Sequence, residues 1–207
     1  MLYDRVKGCE DMVSLKVVLY ITLGYFIGSV PFAYLFTRWY VGKDIRDVAW
    51  GNVGTTNVMV NIGKLPGFLT MIGDVLKGYL AALLGAVSSL PGLRFVLPIA
   101  AITGHNWPVW LRFRGGGGLA TFIGGGLFLL EWYQILFMMG VWGVLHLFIK
   151  HPDKSAVAAC VALPIIFLAS GWKLGPMIYV GGSSITILAK RIQCLIAEYR
   201  SKGCNEV

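Results

Sequence analysis

Long apolar runs separated by short polar stretches set the first expectation. From Val17 to Thr37 no charge interrupts the chain between Lys16 and Arg38. About 20 such residues suffice to cross a hydrocarbon core of about 30 Å at about 1.5 Å per residue. Leu65 to Leu90 is apolar except for Asp74 and Lys77. Phe95 to Leu111, Leu119 to Leu130, Trp132 to Ile149, Ser155 to Trp172 and Leu174 to Ala189 follow, each long enough or nearly so to cross when tilted. The pattern predicts an all-α integral membrane protein of about seven transmembrane helices, forming a single domain over residues 1–207. The run Leu119 to Leu130, with Gly124, Gly125 and Gly126, is also readable as re-entrant. Pro31 should kink the first helix and free a carbonyl, with Ser29 at hand to compensate. Gly24 and Gly28 stand at the GxxxG spacing that lets a neighbouring helix come close.

Seven crossings place alternate connections on one side, and charge then orients them. Segments 38–64, 112–114, 150–154 and 190–207 carry most of the 18 Lys and Arg residues. The other side holds Arg5, Lys7, Lys16, Arg94 and Lys173, with Lys77 inside a helix. Basic connections stay in the cytoplasm, so the N-terminus is expected outside and the C-terminus inside. The tail 190–207 is basic, and Ile192, Leu195, Ile196 and Tyr199 repeat at helical spacing. It can lie on the inner leaflet or simply end the last helix.

Two polar features interrupt the apolar pattern. Gly42 to Asn57, GKDIRDVAWGNVGTTN, concentrates charges, amides, hydroxyls and glycines between two apolar runs, a composition suited to exposing backbone N–H groups to an anion, or to a plain solvated turn. Asp74 and Lys77 stand three apart and so share a helix face. Charges at such depth are costly and should point inward, either as a neutralised structural pair or as part of a site.

Composition agrees with a membrane protein: 57% hydrophobic residues, 14% charged, mean hydropathy +0.70. The net charge of +8 points to cytoplasmic connections and anionic headgroups rather than to nucleic acid, for which no recognition motif is present. Cys9, Cys160, Cys194 and Cys204 have no metal-ligand or disulfide spacing and read as reduced thiols. No small-residue cleavage site follows the first apolar run, so it reads as a retained anchor.

Three polar stretches fall on one predicted side: Gly42 to Asn57, Gly104 to Thr121, and the inner end of the helix with Asp74 and Lys77. Arg38, Arg46, Arg112 and Arg114 with glycine-rich backbone around them would make a phosphate-binding surface open to a lipid-like substrate. Gly115, Gly117 and Ala120 fit a dinucleotide-binding spacing, but that pattern needs a preceding strand and here follows a membrane segment. His105, in Gly104-His105-Asn106-Trp107-Pro108, is the only histidine close to these stretches. It is readable as a general base, a phosphate ligand, or a helix-end hydrogen bonder. His146 and His151 receive no role.

From Gly28 to Thr121 the residues resemble a known family, the bacterial membrane glycerol-3-phosphate acyltransferases that take their acyl group from acyl phosphate, the PlsY type. The resemblance rests on Gly28-Ser29-Val30-Pro31 with Tyr34, Leu35 and Arg38; on Gly42, Asp44, Arg46, Gly51-Asn52, Gly54, Thr56-Asn57 and Gly63; on Asp74 and Lys77-Gly78; and on Gly104-His105, Pro108, Phe113-Arg114-Gly115-Gly116, Gly118 and Ala120-Thr121. It implies a seven-helix enzyme of the bacterial inner membrane with a cytoplasmic-side site and phospholipid synthesis as its setting. The substrates would be acyl phosphate and glycerol 3-phosphate among membrane lipids, with no cofactor, metal or acyl-enzyme intermediate. His105 is then the candidate catalytic residue. Ser29, Arg38, Arg46, Asn52, Thr56, Asn57, Asp74, Lys77, Arg114, Gly115 and Gly116 are the candidate substrate-binding residues.

The chain departs from the family pattern at Ala49-Trp50, where the pattern has Gly-Ser, at Val60, where it has Arg, and at Gly117, where it has Lys. A C-terminal His and Asn motif is missing near Ala189 to Ile192. These departures keep open a non-catalytic relative that binds a lipid or a partner acyltransferase. A third class, a small transporter using Asp74 and Lys77, predicts two halves with repeated hydropathy, and no such repeat is present.

Overall fold

The computed structural model describes residues 2–49, 51–150 and 152–203. Trp50, His151 and the last four residues of the basic tail lie outside the described residues. The described chain forms nine α-helices: α1 (Leu2–Ser29), α2 (Phe32–Val41), α3 (Thr55–Asn61), α4 (Lys64–Val87), α5 (Leu93–Asn106), α6 (Leu119–Leu129), α7 (Trp132–Ile149), α8 (Pro152–Ala169) and α9 (Leu174–Gly203). Single 3-10 turns occupy Ile45–Asp47 and Val109–Leu111.

The seven apolar runs correspond to α1 and α4 to α9, in order. The first run also takes in the start of the apolar α2, and the first 3-10 turn and α3 lie in the polar connection that follows it. Among the described residues, three stretches are long and apolar enough to cross a bilayer by themselves: Asp11–Val41, Lys64–Val87 and Trp132–Ile149. Leu136, Met139, Leu147 and Phe148 on α7 are exposed, as expected where the surrounding solvent is hydrocarbon and the backbone is satisfied within the helix.

The structure shortens two expected helices. The run 17–37 is not continuous, because α1 ends at Ser29 and α2 begins after Pro31; proline brings no N–H and disfavours helical geometry in the residue before it. The run 95–111 stops at Asn106, since Trp107 precedes Pro108, and the chain turns out through the second 3-10 turn. The 14-residue α5 and the 11-residue α6 are about 21 Å and 16 Å long, short of the hydrocarbon thickness.

Close approach of backbones holds the centre together. A Cβ on Gly28 would collide with the backbone of Ala101, and one on Gly78 with the carbonyl of Thr121. α1 therefore lies directly on α5, as the GxxxG spacing anticipates, and α4 on α6. A second core forms where α5, α8 and α9 meet, around Ile102, Leu163, Phe167, Tyr179, Val180 and Ile187. There the Tyr179 hydroxyl donates to the Phe122 carbonyl, and the two rings stack at 5.4 Å.

Candidate active site at the buried charge pair

Three structural breaks meet at one end of the bundle: the α1–α2 break, the C-terminus of α5, and the glycine-rich loop before α6. α4 passes between them with Asp74 and Lys77 facing inward, 2% and 3% exposed. Lys77 Nζ lies 2.8 Å from Asp74 Oδ1 and donates to the Val30 carbonyl at 3.1 Å. The Val30 carbonyl at the break thus accepts both from Phe32 N, at 3.2 Å, and from a lysine 47 residues away. The Ser29 hydroxyl instead donates to Gly104 O at 3.4 Å, tying α1 to α5.

His105 completes the cluster from α5. Its Nδ1 lies 3.4 Å from Asp74 Oδ1, which orients the ring and turns Nε2 towards the glycine-rich loop. A Cβ on Gly116 would strike His105 Nε2 and the Val53 carbonyl, so only a glycine lets the loop lie on the imidazole. The loop is fixed by its own N–H groups. Gly115 N donates to Asn106 O and Gly116 N to His105 O, both at 3.2 Å, which satisfies carbonyls at the end of α5.

Asp74, Lys77, His105, Ser29, Val30, Val53 and Pro108 line a narrow recess with room for roughly one water molecule. A groove of about 400 Å³ adjoins it, sharing Val30 and Pro31 and continuing along Tyr34, Leu35, Arg46, Trp110 and Leu111. Leu35 and Trp110 are exposed, so the groove opens to the outer surface of the bundle.

The remaining sequence-nominated residues divide by position. Arg46 lines the groove, but Asp44 engages its guanidinium through Nη2 at 2.6 Å and Nε at 3.0 Å, and its Nη1 reaches Leu111 O at 3.4 Å. Hydrogen bonding from Arg46 holds the Asp44 carboxyl below its ordinary pKa and raises that of Arg46 in return. Asn57 is buried, and its amide donates to Val48 O at 3.2 Å and Asn52 O at 2.9 Å, which folds the polar connection onto α3. Arg38, Asn52, Thr56 and Arg114 are exposed and stand outside the recess; Arg38 donates to Gly42 O. Val60, at a departure from the family pattern, is also exposed.

Sequence reasoning missed the contribution of α9. Lys190 is buried with Nζ 5.8 Å from the centre of the Trp107 ring, the Trp107 indole donates to Gln193 Oε1 at 2.7 Å, and Asn106 Nδ2 donates to Thr186 O at 3.1 Å. No motif marks these contacts, which join segments about 80 residues apart.

A helical membrane bundle whose inward-facing Asp, Lys and His lie against a glycine-rich loop, beside a groove open to its outer surface, defines the candidate site. The chain matches the glycerol-3-phosphate acyltransferase family over residues 18–201. It is 42% identical over 171 residues to the glycerol-3-phosphate acyltransferase of Rubrobacter xylanophilus, covering 81% of this chain and 85% of the relative. It is 35% identical over 198 residues to that of Parasynechococcus marenigrum, covering 95% and 88%. The fold is similar to the crystal structure of PlsY, an integral membrane glycerol 3-phosphate acyltransferase, in its glycerol 3-phosphate form, with a TM-score of 0.74 and 24% identity over 89% of this chain and 92% of that one. The chain belongs to the glycerol-3-phosphate acyltransferase family.

Proposed function

We propose that the protein transfers an acyl group from acyl phosphate to the 1-hydroxyl of glycerol 3-phosphate, giving lysophosphatidate and inorganic phosphate for phospholipid synthesis. The observation that carries this reading is the Asp74–His105 contact beside Lys77, buried where the glycine-rich loop and the apolar groove meet. The groove suits an acyl chain entering from the bilayer, with Arg46 at its polar end.

In this reading His105 Nε2 receives the proton of the attacking hydroxyl while Asp74 holds the other ring nitrogen. The hydroxyl oxygen bonds to the acyl carbon, the bond from that carbon to the phosphate oxygen breaks, and the departing phosphate takes the proton back. Acyl phosphate is already activated, so positioning and charge stabilisation supply most of the catalysis. Asp74 and Lys77 serve chemistry here, rather than a path for transport.

The reading also places the site at the cytoplasmic face of the inner membrane, with the N-terminus outside. Reporters fused after Lys64, Arg114 and Lys202 should all read as cytoplasmic, and a periplasmic signal at Arg114 would overturn that topology. The direct test is purified protein with a long-chain acyl phosphate and labelled glycerol 3-phosphate. Labelled lysophosphatidate should form with equivalent phosphate, at about 1 per second or faster, and a folded protein that makes none would refute the assignment.

A further inference from the structure

We propose that Arg191, from the last helix, supplies the cation that binds a substrate phosphate at the glycine-rich loop. The proposal rests on the acyltransferase reading above and adds to it a residue that lies 74 positions beyond that loop.

The geometry around Gly117 carries the argument. Of the loop glycines, Gly115 and Gly116 are pressed against backbone and the His105 ring, leaving no room for a side chain, and Gly118 has the left-handed φ of 82°. Gly117 differs in both respects. Its φ lies outside the left-handed range, and a Cβ there would meet nothing closer than 3.5 Å. All three of its nearest neighbours belong to one group, the Arg191 guanidinium, at 3.5 Å to Nη2, 3.8 Å to Cζ and 3.9 Å to Nε. The guanidinium thus fills the space that a side chain on the loop would otherwise occupy, one residue along from the glycine that lies on His105.

The position is held from several sides. Asn106 to Thr186, Lys190 over Trp107 and Trp107 to Gln193 dock this part of α9 on the segment that also carries His105. Arg191 is partly exposed, so a phosphate arriving from solvent can reach its cation beside Gly117. A planar guanidinium beside a loop with little side chain can approach phosphate oxygens in the bidentate geometry that arginine favours. Of the arginines that the sequence nominates for this role, Arg38, Arg112 and Arg114 are exposed, and Arg46 is engaged by Asp44.

Both substrates carry phosphate, and steady-state kinetics separate them. Arg191→Ala should raise KM at least tenfold for one substrate and change the other less than twofold. A rise for glycerol 3-phosphate alone assigns Arg191 to the acceptor, and a rise for acyl phosphate alone assigns it to the donor. The decisive variant moves the charge: Arg191→Ala with Gly117→Lys places an ammonium where the guanidinium stood, and the raised KM should return to within about threefold of wild type. Arg191→Gln, which keeps a long polar side chain, replaces Arg191→Ala in both comparisons if the alanine protein does not fold. Unchanged KM values for both substrates, or no recovery on moving the charge to position 117, would overturn the proposal while leaving the acyltransferase reading intact. A folded wild type that makes no lysophosphatidate would overturn both.

Discussion

Among the described residues, two carboxylate–cation pairs have nearly equal length and opposite surroundings. Arg46 and Asp44 meet at 2.6 Å with side chains 31% and 19% exposed, whereas Lys77 and Asp74 meet at 2.8 Å with side chains 3% and 2% exposed. Distance does not separate them. The first pair is local: Asp44 caps its own 3-10 turn by accepting from Arg46 N as well as from the guanidinium. The second joins three elements, because Lys77 also holds the Val30 carbonyl at the α1–α2 break and Asp74 also holds His105 on α5. Nearby water weakens an exposed pair, while a dry pair leaves a costly uncompensated charge when either member is removed. The difference teaches that burial and connectivity, more than the ion pair itself, set Asp74 and Lys77 apart.

The strongest way to break the comparison is to neutralise one member of the buried pair. Lys77→Met strands the Asp74 carboxylate in a dry site, a loss of about 3 to 5 kcal/mol. Asp74→Asn should cost a similar amount by stranding Lys77. Thermal unfolding in detergent should show both, with the double variant regaining most of the stability because no lone charge remains. Turnover should stay at least about 100-fold down in the double variant. A double variant that regained both stability and turnover would reduce the pair to a structural one.

Next in size is Gly116→Ala, which probes the buried region without touching a charge. The added methyl would meet the His105 ring and the Val53 carbonyl, so either the loop or the imidazole must move. Misplacing a reacting group by about 1 Å costs about 100-fold. kcat should fall by that order, and an alanine enzyme with wild-type kcat would show that the loop does not rest on the catalytic nitrogen.

This buried region was only partly legible in the sequence. Periodicity and charge-free length revealed seven apolar segments, because the bilayer demands them of any helix that crosses it. Asp74 and Lys77 stood out for the converse reason, being charges where a membrane segment should have none. The break at Pro31 was foreseeable from proline's missing N–H, but the lysine that reaches the backbone there was not. Lys77 reaches Val30 only through packing of α4 against the break. Arg191 was hidden for a similar reason: in sequence it is one more basic residue at a helix end, and only the docking of α9 on Trp107 and Asn106 brings it to Gly117. Arg38 and Arg114 are exposed, and charge near a glycine-rich motif does not say which way a side chain faces.

The exposed pair should respond to pH rather than to the assay. The folded Asp44 carboxyl lies below its ordinary pKa, chiefly through the Arg46 hydrogen bond. Its stabilising effect is therefore complete above the unfolded carboxylate pKa, about 3.9, and is lost as pH falls through the lower folded value. Asp44→Asn should destabilise the protein at pH 7 by no more than about 1 kcal/mol, after allowance for solvent screening. The gap to wild type should close below about pH 4. A gap that widened in acid, or one of several kcal/mol at neutral pH, would mean that this pair resembles the buried one after all.

The smallest expected effect lies in the same polar connection, at a departure from the family pattern. Ala49 has a φ of 46°, a left-handed conformation that costs a residue with a Cβ roughly 1 to 2 kcal/mol. Glycine would remove that strain but would enlarge the freedom of the unfolded chain, which offsets about 0.4 to 1 kcal/mol of the gain. Ala49 is exposed and belongs to none of the contacts around His105, so the balance should reach stability and not turnover. Ala49→Gly is therefore expected to stabilise the protein by about 0.5 kcal/mol, a rise of about 1 to 2 °C in Tm for a chain of this size, with kcat and both KM values unchanged. A fall in Tm would show that the connection relaxes around Ala49 at little cost. A change in KM would show that this segment, although it carries the exposed ion pair, reaches the substrate.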